Sequence, residues 1–226
     1  SSRAVMAMIA SGMTTRHILT SAALENAMVV HAAFGGSTNL LIHMSAIAYH
    51  AGLPRPTVAD WSRINRQVPR LVDALPNGPR NHPTVQVFQA GAVPEVMLHL
   101  RRAGLLNLDA LTVTGEKLDT VLDWWEQSER RASLRRGLEE RDRVSPDDII
   151  MDPDSARSRG LTATVSFPVG NLAPEGSVIK ATAIDPGVVD ADGVYRKTGP
   201  ARIFLTEPDA IAAIKEGRIH EGDILV

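Results

Sequence analysis

In 226 residues the chain sets 24 Lys and Arg against 26 Asp and Glu, a net charge of −2, and is 44% hydrophobic and 22% charged. That composition suits a globular protein of one large domain or two smaller ones. It lacks the basic excess of a nucleic-acid footprint, an apolar run long enough for a membrane span, and a signal-peptide pattern. Cysteine is absent, which excludes disulfides, thiolate metal sites and a cysteine nucleophile within these residues and makes a cytoplasmic setting the default expectation.

Taken in chain order, Ala4 to Met13 reads as a short buried helix, and Ser21 as the N-cap of a helix carrying Leu24, Ala27, Met28 and His31. That apolar run stops at Gly35-Gly36, and a second run, Asn39 to Ala51, starts at once behind Ser37 and Thr38. A glycine at positive φ closes the first helix, and a hydroxyl caps the second. The tight turn aims a helix N-terminus, with its partial positive charge, at whatever lies before it. A buried helical hairpin would use the same turn. The second helix, apolar nearly all round, is expected to be buried.

Thr57-Val58-Ala59-Asp60 resembles a capping box opening a helix through Trp61 and Ile64, with Pro69 as its stop. Residues 75–83 are dense in turn formers and read either as a surface excursion or as an active-site wall. Gly91-Ala92-Val93-Pro94 starts the next helix, closed by Gly104; residues 111–113 form a short strand. Leu118, Val121, Leu122 and Trp125 then make a core-facing stripe. The Glu- and Arg-rich stretch 126–143 reads as a solvated helical face. Asp152 to Gly160 reads as the boundary between two domains, and beyond it the texture becomes β, with strands expected at 162–167, 178–184, 201–205 and the C-terminal end. The Asp190-Ala191-Asp192-Gly193 loop reads as a turn, because it lacks the ligand spacing of a calcium loop. Both ends read as cut, so an internal piece of a longer protein is expected.

The residues by themselves name no reaction. His43 and His50 could share one helix face, with His31 one helix earlier, but no carboxylate completes a metal cluster. There is no nucleophile elbow, P-loop or dinucleotide fingerprint.

Four motifs in order change this. They are Phe34-Gly35-Gly36-Ser37-Thr38-Asn39, Ala90-Gly91-Ala92-Val93-Pro94-Glu95-Val96-Met97, Leu111-Thr112-Val113-Thr114-Gly115, and Gly170-Asn171-Leu172-Ala173-Pro174-Glu175-Gly176 running on to Lys180. Their order and spacing, over essentially the whole chain, resemble the IlvD/Edd dehydratases. Asn65 to Val72, Leu75-Pro76-Asn77-Gly78-Pro79 and Ala183 to Asp190 look like the YagF/YjhG-type branch of D-xylonate dehydratases. The resemblance implies loss of water from a 2,3-dihydroxy acid, with an iron–sulfur cluster as Lewis acid, Mg²⁺ at the carboxylate end and a serine alkoxide as base. It places the cluster cysteines, the Mg²⁺ ligands and the base outside this chain, so no catalytic or metal-binding residue is expected here and the isolated piece should be inactive.

The implied fold is α/β: the mostly helical end of an α/β N-terminal domain (1–150), a linker (151–162), and the start of a β-rich, barrel-like swivelling C-terminal domain (163–226). Gly35, Gly36, Ser37, Thr38, Asn39 and Asn171 are the candidate substrate-binding residues, as polar turns between apolar segments. The expected partners are a small sugar acid and further copies of the protein, as a dimer or tetramer, with neither nucleic acid nor membrane. Two alternatives stand beside this reading: a dihydroxy-acid dehydratase of branched-chain amino-acid biosynthesis, and a non-catalytic scaffold remnant of the fold.

Overall fold

The computed structural model describes residues 2–226. The chain divides into two compact units between Ala183 and Ile184. In the first unit the helices are α1 (Ser2–Ser11), α2 (Thr15–Ile18), α3 (Ser21–Phe34), α4 (Asn39–Ala51), α5 (Val58–Gln67), α6 (Thr84–Ala90), α7 (Ala92–Arg102), α8 (Leu118–Gln127), α9 (Glu129–Asp142) and α10 (Pro153–Ser158). The second unit holds β1 (Ala201–Arg202), α11 (Glu207–Lys215) and β2 (Ile224–Leu225).

Helix α3 is the axis of the first unit. Its Leu24, Met28, Val29, Ala32 and Ala33 are buried, and it packs on α4, α5 and α7. Its cap lies one residue earlier than expected: the Thr20 hydroxyl accepts from the Ala23 N–H at 3.2 Å. The capping box opening α5 is present, with Thr57 and Asp60 bonded reciprocally. A short extended rib runs below the end of α3. Leu71 N–H donates to the Ala33 carbonyl at 2.7 Å, Met151 N–H to the Leu71 carbonyl at 2.9 Å, and Asp73 N–H to the Ile149 carbonyl at 2.9 Å. Leu71, Val72, Ile149, Ile150 and Met151 are fully or almost fully buried there, so the core sits directly beneath the turn that ends α3.

A second apolar cluster joins Leu98 to the α8 stripe of Leu118, Leu122 and Trp125. Between α7 and α9, the carboxylate of Glu95 (2% exposed) takes two 2.7 Å bonds from the Arg131 guanidinium, and Arg135 stands 3.5 Å away. The Trp125 indole N–H adds a bond at 3.3 Å. Burial pushes this carboxyl up, but the Arg131 bonds, the charges of Arg135 and Arg131 and the indole bond outweigh burial and hold it below the usual carboxylate range. The charged α9 is therefore more than a solvated face, because Leu138 and two of its arginines turn inward.

Several expectations are corrected. No residue of α1 is buried, and Val5, Met6 and Ile9 are more than half exposed. Helix α4 buries only Met44 and Ala48, while Ile42 and Tyr49 are about two-thirds exposed or more. Apolar composition states a preference for burial; only a packed neighbour satisfies it, and α4 has one on a single side. Residues 111–113 make a single bridge from Leu111 to Lys117, with no strand. The expected strands at 162–167 and 178–184 reduce to one antiparallel bridge, Ser166 to Ile179, followed by a 3₁₀ turn over Ala181–Ala183. Alternation of side chains cannot itself supply the neighbouring strand that completes a ladder. The stretch expected as a linker contains α10, whose Ala156 is buried, and the following Thr164 and Val165 are buried too.

In the second unit, β1 and β2 pair in parallel, with Ala201 opposite Ile224 and Arg202 opposite Leu225. Thr206 caps α11, and the Asp190 carboxylate folds its loop by accepting from the N–H groups of Asp192 and Val194. Among the described residues the architecture is thus mostly helical, with one small parallel sheet.

Candidate functional site

The 35–39 turn is held on two sides by different chemistry. Gly35 ends α3 at φ +73°, the left-handed conformation glycine adopts without a Cβ penalty. A Cβ on Gly35 would also lie 2.8 Å from Thr164 Cγ2 and 3.2 Å from Arg70 Nε. A Cβ on Gly36 would lie 2.3 Å from His31 Cδ2, so the two glycines face two different walls.

On one wall His31, 5% exposed, bonds the Ser37 carbonyl through Nε2 at 2.9 Å. A carbonyl only accepts, so Nε2 carries the proton in this tautomer. Burial lowers the pKa of the ring, partly countered by that same bond, so the neutral form dominates at neutral pH. The ring stands edge-on to Trp61 with centroids 5.3 Å apart, and Trp61 stacks on Phe167 at 6.4 Å. Ser37, rather than Thr38, supplies the cap of α4: its hydroxyl accepts from the Asn39 N–H at 3.2 Å. The N–H groups of Ser37 and Thr38 meet no protein acceptor among the described residues. Beside the turn opens a cavity of about 650 Å³. Asn26, His31, Ser37, Asn39, His43 and Thr112 are its polar lining, set in apolar walls from α3, α4 and α7.

On the other wall lies the Arg70 guanidinium, 5% exposed and bonded only to backbone carbonyls: Val72 at 3.1 Å, Thr162 at 3.4 Å and Asn77 at 2.7 Å. Burial lowers its pKa and the nearby Asp73 opposes that shift. Asp73 is fully buried, and its carboxylate accepts from the N–H groups of Arg80 and Asn81. A Cβ on Gly78 would fall 1.7 Å from Asp73 Oδ1, so the loop closes over this carboxylate only with glycine there. The Asn77 side chain reaches back to the turn, donating to the Gly35 carbonyl at 3.4 Å and accepting from the Thr182 hydroxyl at 3.0 Å.

Of the residues singled out from sequence, Gly36, Ser37 and Asn39 line the cavity, while Gly35 faces Arg70 and Thr164. Thr38 is the N-cap position of α4 and makes no side-chain cap bond. Asn171 lies exposed in the turn closed by the Gly170–Ala173 bridge, away from the lining. That corner packs on the start of α5 at Gly176, where a Cβ would lie 2.5 Å from Val58 Cγ1. Sequence reasoning missed Arg70, Asp73 and the inward role of Asn77. The one available signal was two opposite charges, Arg70 and Asp73, just ahead of a glycine- and proline-rich loop.

The N-terminal domain profile of the dihydroxy-acid/6-phosphogluconate dehydratases matches residues 1–121, and the C-terminal profile matches residues 149–226. The chain belongs to this dehydratase family. It is 62% identical over its whole length to the D-xylonate dehydratase YagF of Escherichia coli K12 and 58% identical to the D-xylonate dehydratase YjhG of the same organism. It is 36% identical, again over its whole length, to a dihydroxy-acid dehydratase of Mycobacterium sp. JLS. In each case it spans 34% of the relative's length. The iron–sulfur cluster and Mg²⁺ implied for dehydratases of this kind do not fit the residues of this chain. It has no cysteine, and among the described residues no group of three or more His, Asp or Glu could hold a metal ion.

Proposed function

We propose that the protein to which this dehydratase chain belongs is a hydro-lyase acting on a sugar acid of the D-xylonate type. A proton leaves C2 and hydroxide leaves C3, together one water, and the resulting enol tautomerises to the 2-keto-3-deoxy acid. The observation that carries the reading is the gap between 62% identity to a D-xylonate dehydratase and 36% to a dihydroxy-acid dehydratase. In this reading the cluster, the Mg²⁺ and the base are held by parts of the protein outside the chain. The chain would contribute the 35–39 turn. The Ser37 and Thr38 N–H groups, the Ser37 hydroxyl and the Asn39 amide are donors gathered at the N-terminus of α4, where an acid group of the substrate is favoured. Asn171 would approach the same acid from the 170–180 corner. The further features of the proposal are a swivelling, barrel-like C-terminal domain continuing beyond β2, a dimeric or tetrameric assembly, and a cytoplasmic enzyme. Among the described residues, no helix is long and apolar enough to cross a membrane.

The test is a substrate panel on the complete native enzyme, with its iron content measured. D-xylonate should be preferred over a short branched 2,3-dihydroxy acid by about a hundredfold in kcat/KM, roughly 2.7 kcal/mol of transition-state discrimination. The opposite preference would replace the proposal with a dihydroxy-acid dehydratase. An iron-free protein without turnover would favour the scaffold alternative. For the turn itself, Ser37→Ala and Asn171→Ala should each cost at least about tenfold, roughly 1.4 kcal/mol; smaller losses would remove these residues from the substrate site.

A further inference from the structure

The 74–82 loop is rigid for reasons independent of the Asn77 side chain. Arg70 bonds the Asn77 backbone carbonyl at 2.7 Å, Asp73 takes the N–H groups of Arg80 and Asn81, and Gly78 packs against that carboxylate. The Asn77 amide is therefore free for another task, and its two ends are committed. Its oxygen accepts from Thr182, and its nitrogen donates to the carbonyl of Gly35. The reverse orientation would set two oxygens against each other at Gly35.

The Gly35 carbonyl belongs to the same peptide plane as the Gly36 N–H, which donates to the His31 carbonyl at 3.0 Å. Two peptides later, the Ser37 carbonyl, in one plane with the Thr38 N–H, is held by His31 Nε2. Asn77 and His31 thus pin the turn from opposite walls, Asn77 at the peptide just before the one that carries the Ser37 N–H and His31 at the peptide that carries the Thr38 N–H, the two N–H groups that have no protein acceptor among the described residues. We infer that Asn77, with Thr182 behind it, is a positioning residue that fixes the direction of the Ser37 and Thr38 N–H groups toward the acid group of the substrate. The inference rests on the proposed substrate role of this turn.

It is tested in the complete enzyme with Asn77→Asp, which keeps size and shape but replaces the donor to Gly35 with a carboxylate oxygen. KM for D-xylonate should rise at least about tenfold with kcat changed less than about threefold. Amide hydrogen exchange over residues 35–41 should quicken about tenfold, leaving α7 and α8 unchanged. Thr182→Ala should shift both readouts in the same direction by less, and Thr182→Ser, which retains the hydroxyl, should restore them. Wild-type exchange over residues 35–41 in Asn77→Asp would overturn the inference. Ser37→Ala in parallel separates the two levels. A raised KM there with an unmoved KM in Asn77→Asp overturns the positioning role alone. An unmoved KM in both Ser37→Ala and Asn77→Asp removes the substrate role of the turn and the inference with it.

Discussion

Alanine substitutions at Gly36, Gly52 and Gly35 separate two physical costs that glycine usually confounds. Gly52 ends α4 at φ +71° with nothing within 4 Å of a built Cβ, so Gly52→Ala carries only the left-handed backbone cost. That is about 1–2 kcal/mol, offset by part of a kcal/mol from the stiffer unfolded chain. Gly36 is not at positive φ, but its Cβ would press on His31 at 2.3 Å. The ring cannot easily yield, being buried, edge-packed on Trp61 and bonded to the Ser37 carbonyl. Overpacking of about 1–3 kcal/mol, plus about 1 kcal/mol for the broken bond, places Gly36→Ala near 3 kcal/mol. At about 2–4 °C per kcal/mol for a protein of this size, it should melt roughly 6–12 °C below wild type. Gly52→Ala should melt only about 2–4 °C below. Gly35→Ala meets both costs, from φ +73° and from contact with Thr164 and Arg70, and should be at least as damaged as Gly36→Ala. The assay is thermal melting by far-ultraviolet circular dichroism, with the near-ultraviolet signal reporting Trp61. In a His31→Ala background, Gly36→Ala should cost about 1 kcal/mol or less, because its clash partner is gone. A Gly36→Ala melt at or above that of Gly52→Ala would refute the account of the turn as sterically locked by His31.

Glu95→Gln removes the charge that meets Arg131 and Arg135. Those arginine side chains are 23% and 17% exposed, so the cost should be about 2–3 kcal/mol, below the roughly 3–5 kcal/mol of a fully buried pair. A urea midpoint shift worth under about 1 kcal/mol would show the cluster to be decorative. Glu95 also sets an acid limit. Its folded pKa is depressed, so its contribution is present above the unfolded value of about 4.3 and lost as pH falls through the folded one. His31 has the same sense from the opposite chemistry, since burial lowers its pKa and the folded chain takes up protons less readily than the unfolded one. Stability should be full above about pH 6.5 and decline below it, and His31→Gln should flatten the slope of melting temperature between pH 7 and 5; an unchanged slope would remove His31 as a source. Arg101, which bridges Asp119, Asp123 and Glu126, makes a surface network. Arg101→Ala should cost under about 1 kcal/mol and less still at 1 M salt, and a salt-independent cost would point to packing by its stem instead.

The local signals were legible because they are written in neighbouring residues. A glycine pair after an apolar run, the Thr57 and Asp60 box, and the spacing of Leu118, Leu122 and Trp125 each specify a backbone state within a few positions. So does the order of the family motifs, and the family followed from them. Long-range pairings were not legible. Glu95 meets Arg131 across 36 positions and Asn77 meets Thr182 across 105, and no periodicity encodes such distances. The apolar helices α1 and α4 show the same limit from the other side, since sequence states how apolar a face is and tertiary structure decides whether anything covers it.

The sequence by itself determined where the two helices break, that glycines must make the break, and which dehydratase family uses it. Only the tertiary structure decided what the glycines are for: His31 fills the space beside Gly36, and Arg70 with Thr164 fills the space beside Gly35. The reason is that a turn's conformation is a property of its own few dihedrals. The walls that hold it come from α3, from the 70–78 segment and from residues 162–182, which folding alone brings together.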